Sequence, residues 1–325
     1  METKVPKALR PLLVTHSGTF HLDGAFAQAV LRLALGLGEA GRNHALVRTR
    51  DEAVIAQADV AWDVGAVHDA AAGRFDRHQR GAPAREGGLP HSAAGLVWRC
   101  HGEAAVAAVL APSGAADLAA AVASEIDRGA VRRIDAIDNG VGPPGDALGL
   151  AALVEDCNPA WDSPAVGDRA AEDAAFLRAA DLADAFLRRR VEAVRARLAA
   201  EAVVLAAHAR SADPRVLELD RKLPWEGPVH AHGLPVLYAV YPVSNGNWMV
   251  DAMPPEPGSY GQRLPLPEGW AGLRDADLAA ACGVPDAVFV HARRFVGAAR
   301  SREGAMAMAR RAIETGLGAG ATPRR

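Results

Sequence analysis

Only three cysteines, Cys100, Cys157 and Cys282, occur in the 325 residues, and no two form a C-x-x-C pair. Far apart and odd in number, they argue against a disulfide framework and a thiolate zinc site, and they favour a reducing compartment. No stretch approaches the roughly 18 uninterrupted apolar residues of a membrane-spanning helix. The N-terminal "METKVPKALRPLLV" lacks the long apolar core of a secretory signal. These absences predict a cytoplasmic protein with no membrane partner. The formal charge of −3 supplies no global positive field, so binding of nucleic acid would need a local basic patch.

What is present is the profile of a soluble globular chain: 50% of residues are apolar and 23% charged, with length enough for two cores. "PLLVTH" (11–16) predicts a buried strand, and Ala27, Val30, Leu31 and Ala34 recur at helical spacing just after it. "HALVRT" and "DVAWDVG" add strands, with the short helix "EAVIAQA" between them. This alternation predicts a parallel sheet covered on both faces. "RGAPAREGGLP" (80–90) reads as a mobile loop, with helices at about 92–101 and 118–138. "NGVGPPGDALG" (139–149) marks a boundary.

From about Gly167 to Ala207 an apolar stripe, Phe176, Ala180, Ala183, Leu187, Val191, Val194 and Leu198, predicts a connecting helical segment, whose length for a single helix leaves room for a break near Arg190. Beyond it "VLELD", "VLYAVYPV" and "NWMVDAMP" read as antiparallel strands, followed by "DAVFVH" and a last helix, 302–313. The fold class expected is α/β: an N-terminal parallel-sheet domain (1–150), a helical connector (151–207) and a smaller C-terminal α/β domain (208–325).

Five polar clusters punctuate this framework. "THSGTFHLDG" sets His16, His21 and Asp23 at a strand-to-helix seam, and "AWDVGAVHD" sets Asp63 at a strand end. "GRFDRHQRG" places Asp76 and His78 two apart, on one side of an extended segment. "RRIDAIDNG" places Asp135 and Asp138 on one helix face. "FVHARRFVGAARSREGAMAMA" holds His291, Arg293, Arg294 and Arg300. Each has a plain structural use by itself: an Asp before Gly is a common turn residue, and an arginine run is commonly a solvated face. Together, carboxylates and imidazoles without thiolates suit Mn²⁺ or Mg²⁺ better than structural zinc. Aspartates at the C-terminal ends of parallel strands converge where such sheets bind ligands. Two ions ~3.5–4 Å apart, bridged by a shared carboxylate, would serve attack of water on phosphorus.

With "LPLPEGWAGL" these clusters resemble the Myg-type family, metal-dependent exonucleases of the DHH phosphoesterase superfamily, from about residue 12 to residue 315. The resemblance implies a DHH-type N-terminal domain with a dimetal centre. It also implies a C-terminal domain presenting basic and glycine-rich elements across a cleft. His16, His21 and Asp23 then stand in the first metal motif, Asp63 is the bridging aspartate, Asp76 and His78 stand in the Asp-His-His motif, and Asp138 is in the fourth. The metal ligands implied are His16, His21, Asp23, Asp63, His78 and Asp138, with Asp63, Asp76 and His78 as catalytic residues. The substrate-binding residues implied are Arg77, Ser92, His291, Arg293, Arg294 and Arg300.

The implied activity is 3′-to-5′ hydrolysis of single-stranded RNA or short oligonucleotides, with Mn²⁺ or Mg²⁺ as cofactor. Two positions depart from the pattern. Arg77 replaces the middle histidine of Asp-His-His and, always protonated, cannot ligate a cation, so it reduces the site to one ion, serves as a cation on phosphate, or abolishes activity. Ala93 replaces a hydroxyl of the Ser-Ser-Ala-Gly helix start, whose backbone N–H groups would still suit a phosphate oxygen. Hydrolysis of small phosphate esters or dinucleotides, and RNA binding without turnover, stay open as alternatives. So does the oligomeric state, a homodimer included.

Overall fold

The structure, a computed structural model, describes residues 11–38, 42–141 and 146–319. The chain divides into two compact units, residues 1–195 and 196–325. Part of the Gly/Pro stretch read as a boundary, residues 142–145, lies outside the described residues.

The N-terminal unit opens with β1 (Leu12–Thr15), α1 (Leu22–Ala34), β2 (Ala45–Arg48), α2 (Glu52–Ala56) and β3 (Val60–Trp62). A hairpin of β4 (His68–Asp69) and β5 (Arg74–Phe75) follows. The strand order is β2-β1-β3-β5-β4. β1 pairs in parallel with β2 and β3, and β3 with β5, while β4 closes the edge antiparallel. Chain progression reverses direction between β1 and β3, and a crevice at the C-terminal strand ends opens at such a switch point.

Helices α3 (Ala93–Leu110), α4 (Ala119–Ile126), α5 (Arg132–Asp138) and α6 (Leu150–Glu155) complete this unit, a π-turn at Asp127–Val131 joining α4 to α5. α1 and α3 pack together around Phe26, Leu31, Leu96 and Val97, all fully buried. α1 is buried on nearly every side over residues 22–31, as a helix enclosed by other layers must be.

Helix α7 (Arg169–Arg210) runs 42 residues without interruption. It has no break near Arg190. Nothing between 169 and 210 is Gly or Pro, so no ladder bond is lost. Pairs such as Arg188–Asp184 (2.7 Å) and Arg195–Glu192 (2.9 Å) reinforce the exposed face. The stripe from Phe176 to Val194 is buried as its period requires.

The loop 80–90 is tied down despite its composition. A bridge joins Ala84 to Pro90, and Arg85 reaches both Asp127 (2.8 Å) and Asp135 (2.5 Å).

The C-terminal unit holds β6 (Val216–Glu218), α8 (Glu226–Ala231), β7 (Tyr238–Pro242), β8 (Trp248–Ala252), α9 (Asp275–Cys282), β9 (Ala287–Val290), β10 (Val296–Ala299) and α10 (Arg302–Ala319). Its sheet order is β6-β7-β8-β10-β9. β6 and β7 pair in parallel, not antiparallel as expected, because the chain crosses over through α8 before returning. The other pairs are antiparallel. α10 lays Met308, Ala309, Ala312 and Ile313 against the sheet. Among the described residues no helix is long and apolar enough to cross a membrane, and the three cysteines are free thiols.

Candidate active site

All four parallel strands of the N-terminal unit deliver a polar residue just beyond their C-terminal ends: Arg50 after β2, His16 after β1, Asp63 after β3 and Asp76 after β5. They line one cavity of about 960 Å³, with His21 and Asp23 from the start of α1 and Asp138 from the end of α5. Because β1 and β3 are neighbours, His16 and Asp63 meet, Nε2 to Oδ2 at 3.2 Å. Asp63 takes a left-handed backbone, φ 56°, which Asp and Asn adopt more readily than most side chains. The Trp62 indole donates to the carbonyl of Gly24 (3.0 Å), fastening the end of β3 to the first turn of α1 beside Asp23.

Asp76 is fixed by three donors. Ala66 N (2.6 Å) reaches one oxygen, and His78 N (3.1 Å) and Nδ1 (2.6 Å) reach the other. His78 Nδ1 is also 4.0 Å from Asp63 Oδ1. Asp63, Asp76 and His78 each bring a ligand atom within 4.8 Å of the others. Arg77 turns to the other carboxylate: its Nε lies 2.8 Å from Asp138 Oδ2, without hydrogen-bond alignment, and its Nη1 donates to Asn139 Oδ1 at 3.3 Å.

Asp23 is 2% exposed, and neither of its oxygens has an aligned hydrogen-bond donor, the nearby Gly24 N–H easing its burial only in part. Burial, then repulsion from Asp63 and Asp138, pushes its carboxyl well above the usual range. Burial raises Asp138 as well, only partly offset by Arg77. For Asp63, burial also pushes upward, but His16, His78 and Arg77 outweigh it and the carboxyl sits below its ordinary value. A buried carboxylate with no aligned donor costs several kcal/mol unless a cation meets it. The donor set of carboxylates and imidazoles therefore fits a hard divalent cation.

Asp135, about one helical turn before Asp138, meets different partners. Fully buried, it accepts from Ser92 N (2.9 Å), Ser92 Oγ (2.6 Å) and Arg85 Nε (2.5 Å). Ser92 is itself fully buried and caps α3 by accepting from Gly95 N (3.2 Å). The anion at this helix start is thus the protein's own carboxylate, against which a Cβ on Gly95 would collide.

In the C-terminal unit, His291, Arg293 and Arg294 lie in the turn between β9 and β10. His291 Nδ1 accepts from Arg293 N (3.0 Å), and its ring contacts the half-exposed Phe295 at 4.6 Å between centroids. Arg294 reaches the Leu266 carbonyl at 3.4 Å, and Arg300 pairs with Asp275 at 3.2 Å.

Residues outside the motifs also shape the site. Arg50 Nη2 lies 3.4 Å from His16 Nδ1, and its place after a parallel strand was the signal available for it. Arg48, 1% exposed, ties Gly18 O to Glu172 O (3.1 Å) and lies over Phe20 and Phe176. Nothing in "HALVRTR" announces that an arginine is buried there.

The profile of the Uncharacterised protein family (UPF0160), MYG1_exonuc, matches residues 12–313. A Homo sapiens protein named MYG1 exonuclease is 36% identical, covering 92% of this chain and 85% of its own length. A MYG1 protein of Schizosaccharomyces pombe is 33% identical, covering 93% of this chain and 97% of its own. A Dictyostelium discoideum MYG1 protein is 28% identical, covering 91% and 94%. No solved structure matches.

Proposed function

The chain belongs to the MYG1 family, UPF0160, and from that premise we propose that it is a metal-dependent phosphodiesterase acting 3′-to-5′ on single-stranded RNA or short oligonucleotides. The name exonuclease carried by its relatives supports the nuclease part. One observation carries the metal part: Asp23, buried with both oxygens lacking an aligned donor, borders the convergent set Asp63, Asp76 and His78. In this reading those four residues, with His16 and His21, hold Mn²⁺ or Mg²⁺, while Asp138 stays seated against Arg77. Such an ion, when bound, brings the pKa of a coordinated water towards ~7 and offsets charge on the phosphoryl oxygens.

The chain's own groups do the rest. Asp76 fixes His78 through the 2.6 Å contact, and His16 holds Asp63 in its ionised form. Arg77, His291, Arg293, Arg294 and Arg300 meet phosphates, for which a guanidinium offers paired donors. The contact between His291 and the exposed Phe295 supports a single-stranded substrate, since unpaired bases stack on such rings. The free thiols support a reducing compartment such as the cytoplasm.

The test is hydrolysis of 5′-labelled single-stranded RNA by metal-stripped protein, with and without Mn²⁺, beside Asp63→Asn. A ladder that needs Mn²⁺ and vanishes in the variant is the expected result. No turnover with retained, salt-sensitive RNA binding would replace this reading with that of a binding protein, which the seating of Arg77 on Asp138 favours.

A further inference from the structure

Four aspartates line the cavity, and the basic partners of three of them are of two kinds. Asp76 and Asp63 face imidazoles: His78 at 2.6 Å from Asp76, and His16 at 3.2 Å from Asp63. An imidazole can keep such a contact and still ligate, because a neutral ring has a lone pair on the nitrogen that does not carry the proton. Asp138 is different. Its partner is the Arg77 guanidinium, 2.8 Å away and pinned from its other end by Asn139. A guanidinium keeps its proton at every physiological pH and offers no lone pair to a metal.

We infer that this centre takes one divalent cation per chain, on the Asp63, Asp76 and His78 side, and that Arg77 supplies the second positive charge as a permanent part of the protein. The inference rests on the proposed metal dependence and goes beyond it in fixing stoichiometry and giving Arg77 a role.

The charge of Arg77 acts favourably on Asp23, Asp63 and Asp138 alike. Its reach therefore extends over the carboxylates a second ion would need. A cation placed beside Asp138 would have to displace the guanidinium and then sit against its charge, and like charges at such separations repel strongly in a poorly solvated pocket. Asn139 opposes that displacement. Its Oδ1 accepts from Arg77, while its Nδ2 donates to the carbonyls of Pro90 (3.1 Å) and Asp135 (2.8 Å), so the anchor is itself fixed. The remaining carboxylates match one ion. Asp63, Asp76 and His78 have ligand atoms within 4.8 Å of one another, and Asp23 adds a buried carboxylate with no aligned donor.

The test counts metal without reference to turnover. The full chain, stripped with EDTA, is dialysed against saturating Mn²⁺; bound manganese is measured by mass spectrometry and its magnetic state by low-temperature EPR. The expected result is about one Mn²⁺ per chain with the spectrum of an isolated ion. Arg77→His, which restores a ligand and removes the fixed charge, is expected to bind about two, with the spectrum of an exchange-coupled pair. Two ions or a coupled spectrum in the unaltered chain would overturn the inference and leave metal dependence standing. Arg77→His folded but still at one ion would overturn the role given to Arg77. No bound manganese at all would overturn both this inference and the metal-dependent reading. The count on the unaltered chain decides the stoichiometry even if the variant does not fold.

Discussion

His16 Nε2 lies 3.2 Å from Asp63 Oδ2, so the residue following β1 is clasped to the residue following β3 across the switch point of the sheet. Asp63 makes this contact from a left-handed backbone that Asn tolerates equally well. Asp63→Asn is therefore expected to preserve the fold while removing the charge. Activity on labelled RNA should fall at least ~100-fold, the upper end of what metal-supporting changes cost. The melting curve of the metal-free variant should stay close to that of the parent. A collapsed melting curve would mean that the contact with His16 is chiefly structural.

Arg48 acts on the same loop from behind. It spans the carbonyls of Gly18 and Glu172 and rests on two phenyl rings at 5.3 and 5.0 Å. Arg48→Met keeps much of the volume but removes the donors to both carbonyls and the ion pair with Asp173 (3.5 Å), so we expect a loss of about 1–3 kcal/mol in urea unfolding. The segment carrying His16 and His21 should also lose its support, weakening Mn²⁺ binding ~10–100-fold in titration. Lost stability with unchanged Mn²⁺ affinity would show that the loop does not depend on this anchor.

Asp135 contributes to the loss of stability in acid. Burial pushes its carboxyl up, but His91, Ser92 and Arg85 outweigh burial and hold it below its ordinary value. A carboxylate depressed in the folded state contributes stability that is complete above its unfolded pKa, about 3.9. That stability drains away as pH falls through the lower folded value. Asp135→Asn should flatten the fall in stability below about pH 4. It should also cost about 3–5 kcal/mol near neutrality, because Arg85 keeps only Asp127. Urea midpoints measured from neutral to acid pH check both effects.

The sequence made the scaffold legible wherever period and punctuation agreed. Leu12–Thr15, Ala45–Arg48 and Val60–Trp62 are short apolar runs bounded by turn residues, and each is a strand. It was less informative where a distant partner decides the outcome. Asp135 and Asp138 share a helix face by spacing, yet one meets Arg85 and the other Arg77. Arg85 sits in a Gly/Pro-rich loop whose composition hides its role as an anchor. Strand β10 was missed because "VGAA" lacks bulk; Gly297 lies where a Cβ would press on Phe289 O and Val290. The motifs brought His16, Asp23, Asp63, Asp76, His78 and Asp138 to notice. That Asp23 would be buried with no aligned donor is a property of packing, which no spacing encodes.

The turn between β9 and β10 offers the sharpest separation among the basic residues. Arg300 shares its charge with Asp275, and Arg294 spends a donor on Leu266 O. Arg293 is exposed, and among the described residues no carboxylate pairs with it. An arginine that neutralises a phosphate releases a counterion, so its removal lowers the slope of log K against log salt by ~0.7 on a single strand. Arg293→Ala is expected to show that drop for single-stranded RNA between about 50 and 200 mM salt. Arg300→Ala should change the slope less, since Asp275 already balances its charge. Phe295→Ala should weaken binding by about 1–3 kcal/mol with the slope unchanged, because stacking releases no ions. Slopes and affinities unchanged from the parent in all three variants would remove this turn from the RNA-binding surface and leave phosphate recognition to Arg77 and Arg50 at the cavity.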